Sequence, residues 1–405
     1  MNAIFSFNVT RLLAALSMSL DYTREGLTSH HRRVTYIALS LGQKMNLSSE
    51  KMYTLFCAST LHDIGAITFA DKHKLANIEI VSPEVHCEKG YQFLKGMSQF
   101  HHSALIIRHH HHRWNQPAPD IDSDLLTLSY LIHLADRIEV LLTPSYILSQ
   151  RKCVIDKIRK LFGSYFPPEY EDLLLETVKK ESFWLDLESI YLDNIIENML
   201  IPTPHIEMRS QEIKDIASIF ASIIDSKSRF THRHSSLVCA TSKELARLAG
   251  FSGEQTAQME VAGLLHDLGK LSVPESILEK QGSLTPEEYD FIKQHTYHTY
   301  HILNHIPGFS TIAEWAAYHH ERLDGCGYPF HIDGASLSTG SRIVAVADIF
   351  SALAEDRPYR LGMKQEKITD ILQKMVKGKG IDGDLATLLL DHYDTFDHLK
   401  NSLSS

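Results

Sequence analysis

Seven side chains in the second half of the chain are of the kinds that hold first-row transition metals: His234, His266, Asp267, His295, His319, His320 and Asp348. Imidazole and carboxylate are the donors such ions take. Five imidazoles with two carboxylates suit two ions, with Asp267 able to bridge them. Two divalent ions about 3.5–4 Å apart lower the pKa of a bound water and polarise a phosphoryl oxygen, which is the chemistry of phosphoester hydrolysis. His319 and His320 open the stretch His-His-Glu-Arg-Leu-Asp-Gly-Cys-Gly-Tyr-Pro, which ends at Pro329. Neighbours on a helix point about 100° apart, so both imidazoles reach a metal pair only if a helix unwinds there. Gly325 and Gly327 supply backbone freedom, and Pro329 stops any helix. Taken alone, the stretch also reads as a surface turn with incidental histidines.

The first half repeats the series: His30, His62, Asp63, His86, His110, His111 and Asp136. The spacings agree, with 62 − 30 = 32 and 266 − 234 = 32, then 110 − 86 = 24 and 319 − 295 = 24. An ordered series at two matched spacings is an internal duplication of about 200 residues, too long for a solenoid unit. Two copies of one domain are expected, over residues 1–200 and 205–405. Ile201-Pro202-Thr203-Pro204 is the joint, because residues before proline disfavour helix.

The elements that must position these donors read as helices. Strand-like alternation is scarce. In Glu254 to Gly269, Ala257, Val261, Leu264, Leu265 and Leu268 recur at helical spacing, and Gly269 is the expected stop. Met1 to Leu20 reads as an amphipathic helix. The predicted fold class is all-α, as two tandem helical domains.

Composition narrows the function. There are 405 residues, 43% apolar and 22% charged, ordinary for a globular protein of two domains. A net charge of −10 argues against a broad DNA-binding face and leaves room for a small anionic ligand. Histidines number 25 against 20 glycines, an excess that favours metal or acid–base chemistry. Five scattered cysteines without CxxC spacing argue for a reducing compartment and against a thiolate zinc site. No apolar run reaches the roughly 18 residues of a membrane span, so a cytoplasmic protein is expected.

The ligand order resembles the HD superfamily of metal-dependent phosphohydrolases, whose fold is all-helical. The second copy is similar, more narrowly, to the HD-GYP subgroup. That likeness rests on His266-Asp267-Leu268-Gly269-Lys270, on His319 to Pro329, and on Asp348 with Arg357-Pro358-Tyr359-Arg360; it spans Ile213 to Phe396. The resemblance implies a phosphodiesterase for bacterial cyclic dinucleotides, chiefly cyclic di-GMP. 3′,3′-Cyclic GMP-AMP is the nearest alternative, since no motif residue separates guanine from adenine. It further implies that the seven ligands hold iron or manganese. On that resemblance Asp267 and Lys270 would be the catalytic pair, with Lys270 on the scissile phosphate. Arg357 and Arg360 would meet the ligand's phosphates or bases, and Arg322, Asp324, Gly327 and Tyr328 the rest of the substrate. Some members carry a glutamate four residues before the first histidine, implying a third metal. Here that position is Phe230, so two are expected.

Elementary chemistry agrees. A cyclic dinucleotide has no easy internal nucleophile, so an activated water is required. Lys270 lies one helical turn past His266 and would face the same cavity, where it stabilises transition-state charge. Otherwise it is a solvated lysine at a helix end. Arg357 and Arg360 fit phosphate in bidentate fashion, or else pair at the surface. His298, His301 and His305 read as surface or supporting groups, and His232 as ambiguous. A receptor that binds a cyclic dinucleotide without hydrolysing it, with a homodimer or a signalling protein as partner, is the rival class.

The first copy keeps the donors and lacks the remainder. Ala66 replaces the lysine, and Gln116-Pro117-Ala118 replaces Gly-Cys-Gly-Tyr-Pro. The run His109 to His112 leaves the register of the pair open by one position. This copy is a metal-loaded regulatory or dimerisation domain, a second phosphohydrolase, or a remnant with structural histidines.

Overall fold

The computed structural model describes residues 4–5, 9–21, 29–68, 71, 75, 82–143, 146–200, 208–227, 233–356 and 361–404. Among these, regular structure is helical except for one antiparallel pair of two-residue strands, β1 (Ile4–Phe5) and β2 (Met208–Arg209). The chain forms two compact units, Leu12–His205 and a second made of Ile206–Ser405 with Met1–Arg11. The β1–β2 pairing places residues 4 and 5 in the second unit, beside a stretch two hundred residues away. The Ile201 to Pro204 joint lies outside the described residues.

In the first unit, α1 (Val9–Asp21) precedes α2 (His30–Lys44), which packs on α3 (Ser49–Thr60) and on α6 (Ser123–Val140). The helices α4 (Glu84–Leu94) and α5 (His101–His109) pack on each other. The sequence predicts an amphipathic helix from Met1. Instead the helix begins at Val9, and Val9, Leu12, Leu13, Ala15, Leu16, Thr10, Ser17 and Ser19 are all buried. It is covered on more than one face.

The second unit repeats this plan. The helix α11 (Ser210–Lys227) is followed by α12 (His234–Leu248), which packs on α13 (Gly253–Leu265) and α17 (Thr339–Ala354). The helix α15 (Pro286–Asn304) packs on α16 (Ser310–Ala317) and on a 3-10 turn, Leu268–Ser272. Local signals set these boundaries. Ser252 with Gln255, and Thr285 with Glu288, form capping boxes at the starts of α13 and α15, each satisfying two otherwise unpaired backbone donors. Phe220, Phe309, Phe350 and Phe396 fill the core. No helix among the described residues is long and apolar enough to cross a membrane.

The expected helix over Glu254–Gly269 ends four residues early, at Leu265, and the chain passes into the 3-10 turn. The cause is close packing on α15. A Cβ on Gly269 would lie 1.9 Å from the His295 carbonyl oxygen. Gly269 N donates to Thr299 Oγ1 at 2.9 Å, and that hydroxyl donates to the His266 carbonyl at 3.2 Å. The first unit repeats the contact, with a Gly65 Cβ only 2.0 Å from the His86 carbonyl oxygen.

Candidate metal centres and active site

Each centre is assembled from the ends of helices. In the second unit, His234 opens α12, His266 and Asp267 follow α13, His295 lies within α15, and Asp348 lies within α17. His319 and His320 stand on a 3-10 turn, Tyr318–His320, directly after α16. This unwinding lets adjacent imidazoles face one centre. Three sets of donors have ligating atoms within 4.8 Å of one another: His295, His319 and His320; His266, Asp267 and His319; and His234, His266 and Asp348. His266 and His319 each belong to two sets, so the sets are one continuous cluster.

Orientation comes from the backbone. His266 Nδ1 donates to the Gly263 carbonyl at 2.9 Å, His295 Nδ1 to Ile292 at 2.7 Å, and His319 Nδ1 to Ala316 at 2.7 Å. Each bond fixes the tautomer and leaves Nε2 as a lone-pair donor toward the centre. His234 is held differently, by Glu355 at 3.0 Å on Nδ1, while its Nε2 is 3.0 Å from Asp348 Oδ1. Burial opposes charge on His234, yet these two carboxylates lift it to about 10. Burial pushes His295 down to about 3, and pushes His319 and His320 down as well. Neutral imidazoles are the form that ligates. Asp267 is kept ionised against the cost of burial by His266 and Lys270.

These residues fit a metal. His266 Nε2 and Asp267 Oδ1 are buried and have no hydrogen-bond partner, a costly arrangement for polar atoms unless a cation satisfies them. The 3-10 turn Leu268–Ser272 brings Lys270 alongside Asp267, in place of the helical periodicity expected there. Its Nζ lies 2.5 Å from Asp267 Oδ2.

The loop after His320 is braced internally. Glu321, buried, accepts from Phe330 N at 2.7 Å and Ile332 N at 3.1 Å. Arg322 donates twice to Asp324, at 3.0 and 2.6 Å, and once to the Gly378 carbonyl at 3.1 Å. Arg322 thus pairs with Asp324 inside the loop and ties the loop to the segment at Gly378. Gly325 has a φ of +72°, and a Gly327 Cβ would sit 2.4 Å from Arg322 N. This fold of the loop sets the Tyr328 ring 4.9 Å from His320 and 6.3 Å from Tyr289. Arg357 and Arg360, like Phe230 and His232, lie outside the described residues. His298, His301 and His305 join no metal-binding set among the described residues.

In the first unit, Asp63, His86, His110 and His111 form one set, and His30, His62 and Asp63 another. His62 and His110 donate from Nδ1 to the Ser59 and Ile107 carbonyls, at 2.8 and 2.6 Å. His30 donates to Glu139 at 2.5 Å. Asp136 instead takes a buried Arg137 at 2.5 and 3.2 Å. Cys87 was not expected at the centre. Its Sγ lies 3.5 Å from His110 Nδ1 and 3.7 Å from His86 Nε2. Burial would raise this thiol, but the two imidazoles draw it down to about 6.

Sequence reading also missed the supporting carboxylates. Asp21 accepts from His31 N and Nδ1 at 3.2 and 2.6 Å, and Asp225 accepts from Ser235 N and Oγ at 3.3 and 2.8 Å. Both precede their bonded partner by ten residues and sit at a helix N-terminus, where the dipole favours an anion. That shared offset was the available signal.

Comparison with known proteins agrees with this geometry. Residues 27–141 and 218–385 each match the HD domain family. The 3′3′-cGAMP-specific phosphodiesterase 1 of Vibrio cholerae is 32% identical over 400 residues, covering 96% of this chain and 93% of that protein. A cyclic di-GMP phosphodiesterase of Thermotoga maritima is 34% identical over 193 residues, 47% of this chain and 49% of that protein. The crystal structure of the V. cholerae cyclic GMP-AMP specific phosphodiesterase V-cGAP3 shares the fold, with a TM-score of 0.69 and 23% identity over 96% of this chain and 98% of that one. With paired HD domains, a histidine–aspartate cluster in each that could hold metal and a relative matched over nearly its full length, the chain belongs to the HD-GYP branch of the HD-domain family.

Proposed function

We propose that the second domain, residues 205–405, hydrolyses a cyclic dinucleotide phosphodiester, with 3′,3′-cyclic GMP-AMP as the preferred substrate and a linear dinucleotide as the first product. The observation that carries this is the complete, buried donor cluster with Lys270 set against Asp267. The preference for the hybrid ring rests on the relative that spans both domains, which is named for cGAMP, whereas the relative named for cyclic di-GMP spans about half the chain.

Two divalent ions, iron or manganese, would be held by His234, His266, Asp267, His295, His319, His320 and Asp348. When bound, they would supply an activated water and polarise the scissile phosphoryl group. The protein's own residues do the rest. Lys270 keeps its proton because Asp267 beside it outweighs the cost of burial, so a fixed cation stands where phosphoryl charge develops. Tyr328 and Tyr289 offer aromatic edges and faces beside the donor cluster, suited to a purine. Arg322 and Asp324 hold the loop that positions Tyr328, a role of shaping rather than of direct contact. Arg357 and Arg360 remain candidates for the second phosphate. The first domain, residues 1–200, is regulatory: it keeps a metal cluster but has Ala66 in place of the lysine.

The experiment is product chromatography with 3′,3′-cyclic GMP-AMP and cyclic di-GMP supplied in parallel to the Mn²⁺- or Fe²⁺-loaded full chain. Tight binding of either ring with no product would favour the receptor reading.

A further inference from the structure

The two centres differ at one position that the chemistry cannot ignore. After the last ligand the second domain has Ile349, and the first has Arg137. Arg137 is buried, and its Nη2 and Nε lie 2.5 and 3.2 Å from the same oxygen of Asp136. In the second domain the equivalent Asp348 stands 3.0 Å from His234 and shares a donor set with His234 and His266. In the first domain Asp136 lies 3.7 Å from His30 through one oxygen and 3.8 Å from His111 Nε2 through the oxygen that Arg137 holds, and it belongs to no such set among the described residues. The other half of the centre is intact. His86 Nε2 is 3.4 Å from both His110 Nε2 and Asp63 Oδ1, and His110 Nε2 is 3.8 Å from Asp63 Oδ1. His111 is 7% exposed, and its Nε2 has no hydrogen-bond partner.

We propose that the first domain holds a single divalent metal ion, on Asp63, His86, His110 and His111, and that the Arg137 guanidinium replaces a second ion by taking Asp136. A guanidinium is always charged, so it neutralises Asp136 and repels a dication placed beside it. The His30 and His62 half then has Asp63 as the one carboxylate in its donor set, with Glu139 on the far nitrogen of His30, and Asp63 also serves the other half. One ion with no lysine at position 66 makes a centre built to be occupied, and unlike the catalytic one.

The test is metal content per chain, by elemental analysis of the full chain equilibrated with Mn²⁺, in the parent and in single variants. His86→Gln is expected to lower the count by one, and His30→Gln to leave it unchanged. Both are near-isosteric, and circular dichroism of each variant confirms that the fold persists. Arg137→Met, by freeing Asp136, is expected to raise the count by one. A fall with His30→Gln, a fall of two with His86→Gln, or no fall with either would overturn the proposal. Because each readout is a difference within one domain, it stands apart from whether the second domain hydrolyses cyclic dinucleotides.

Discussion

Lys270 and Glu355 act on the centre from opposite directions. Lys270 touches Asp267 and should matter in the transition state. Lys270→Met is therefore expected to lower turnover by roughly 100- to 1000-fold while metal content stays at the parent value. The Glu355 carboxylate meets the far nitrogen of His234 at 3.0 Å. Glu355→Gln is expected to weaken metal binding by about 10- to 100-fold, seen as a higher Mn²⁺ concentration for half-maximal activity. A third residue gives a pH signature. Lys227 is buried, donates to the Leu271 carbonyl and pairs with Glu275 at 3.6 Å. Burial pushes it down to about 8 from 10.5, against the pull of Glu275. Between those two pH values the unfolded chain binds more protons than the native one, so stability rises with pH across that window and is flat below it. Denaturant midpoints measured from pH 7 to 10 should show the rise, and Lys227→Met should remove it. At this scale the seven side chains that the structure gathers into one cluster could be picked out from the sequence because their residue types are chemically specific. Their supporting partners were not. Glu355 and Glu139 play the same part, but 355 − 139 = 216, whereas the last ligands differ by 348 − 136 = 212. The role has moved by four residues, so the register that pairs the last ligands does not pair these two.

The 3-10 turn Leu268–Ser272 separates what periodicity reports from what it does not. Leu264, Leu265, Leu268 and Leu271 are all buried, so the apolar pattern runs on through the end of α13 and into the 3-10 turn. Burial is what periodicity reports, and both kinds of backbone bury those leucines. The break is dictated by a contact with α15, thirty residues on, through Gly269 and Thr299. Gly269→Ala must push the turn off the His295 carbonyl. It is expected to cost about 1–3 kcal/mol and to release metal, checked by thermal melting and elemental analysis on the same sample. The unwinding at His319 and His320, by contrast, was legible, because two adjacent imidazoles in one centre require it.

At the scale of the whole molecule, the duplication was visible in order and spacing before any geometry. The offset between copies grows from 266 − 62 = 204 to 295 − 86 = 209 to 348 − 136 = 212; the first donor helix keeps its 15 residues in both copies, whereas the helix carrying His86 has 11 residues and the one carrying His295 has 19. The pairing of residues 4 and 5 with 208 and 209 had no comparable signal, since two residues are too few to show alternation. The division of labour follows from what each copy kept. His62→Ala/Asp63→Ala in the full chain should lower metal content and leave turnover of the same order as the parent. The corresponding change in the second domain should abolish turnover. The central claim, that the second domain is a cyclic dinucleotide phosphodiesterase, is tested most directly by chromatography of 3′,3′-cyclic GMP-AMP incubated with the Mn²⁺-loaded full chain and with its His266→Ala/Asp267→Ala variant. A linear dinucleotide from the parent and intact substrate from the variant are expected; equal product from both, or intact ring from both, would rule out hydrolysis at this site.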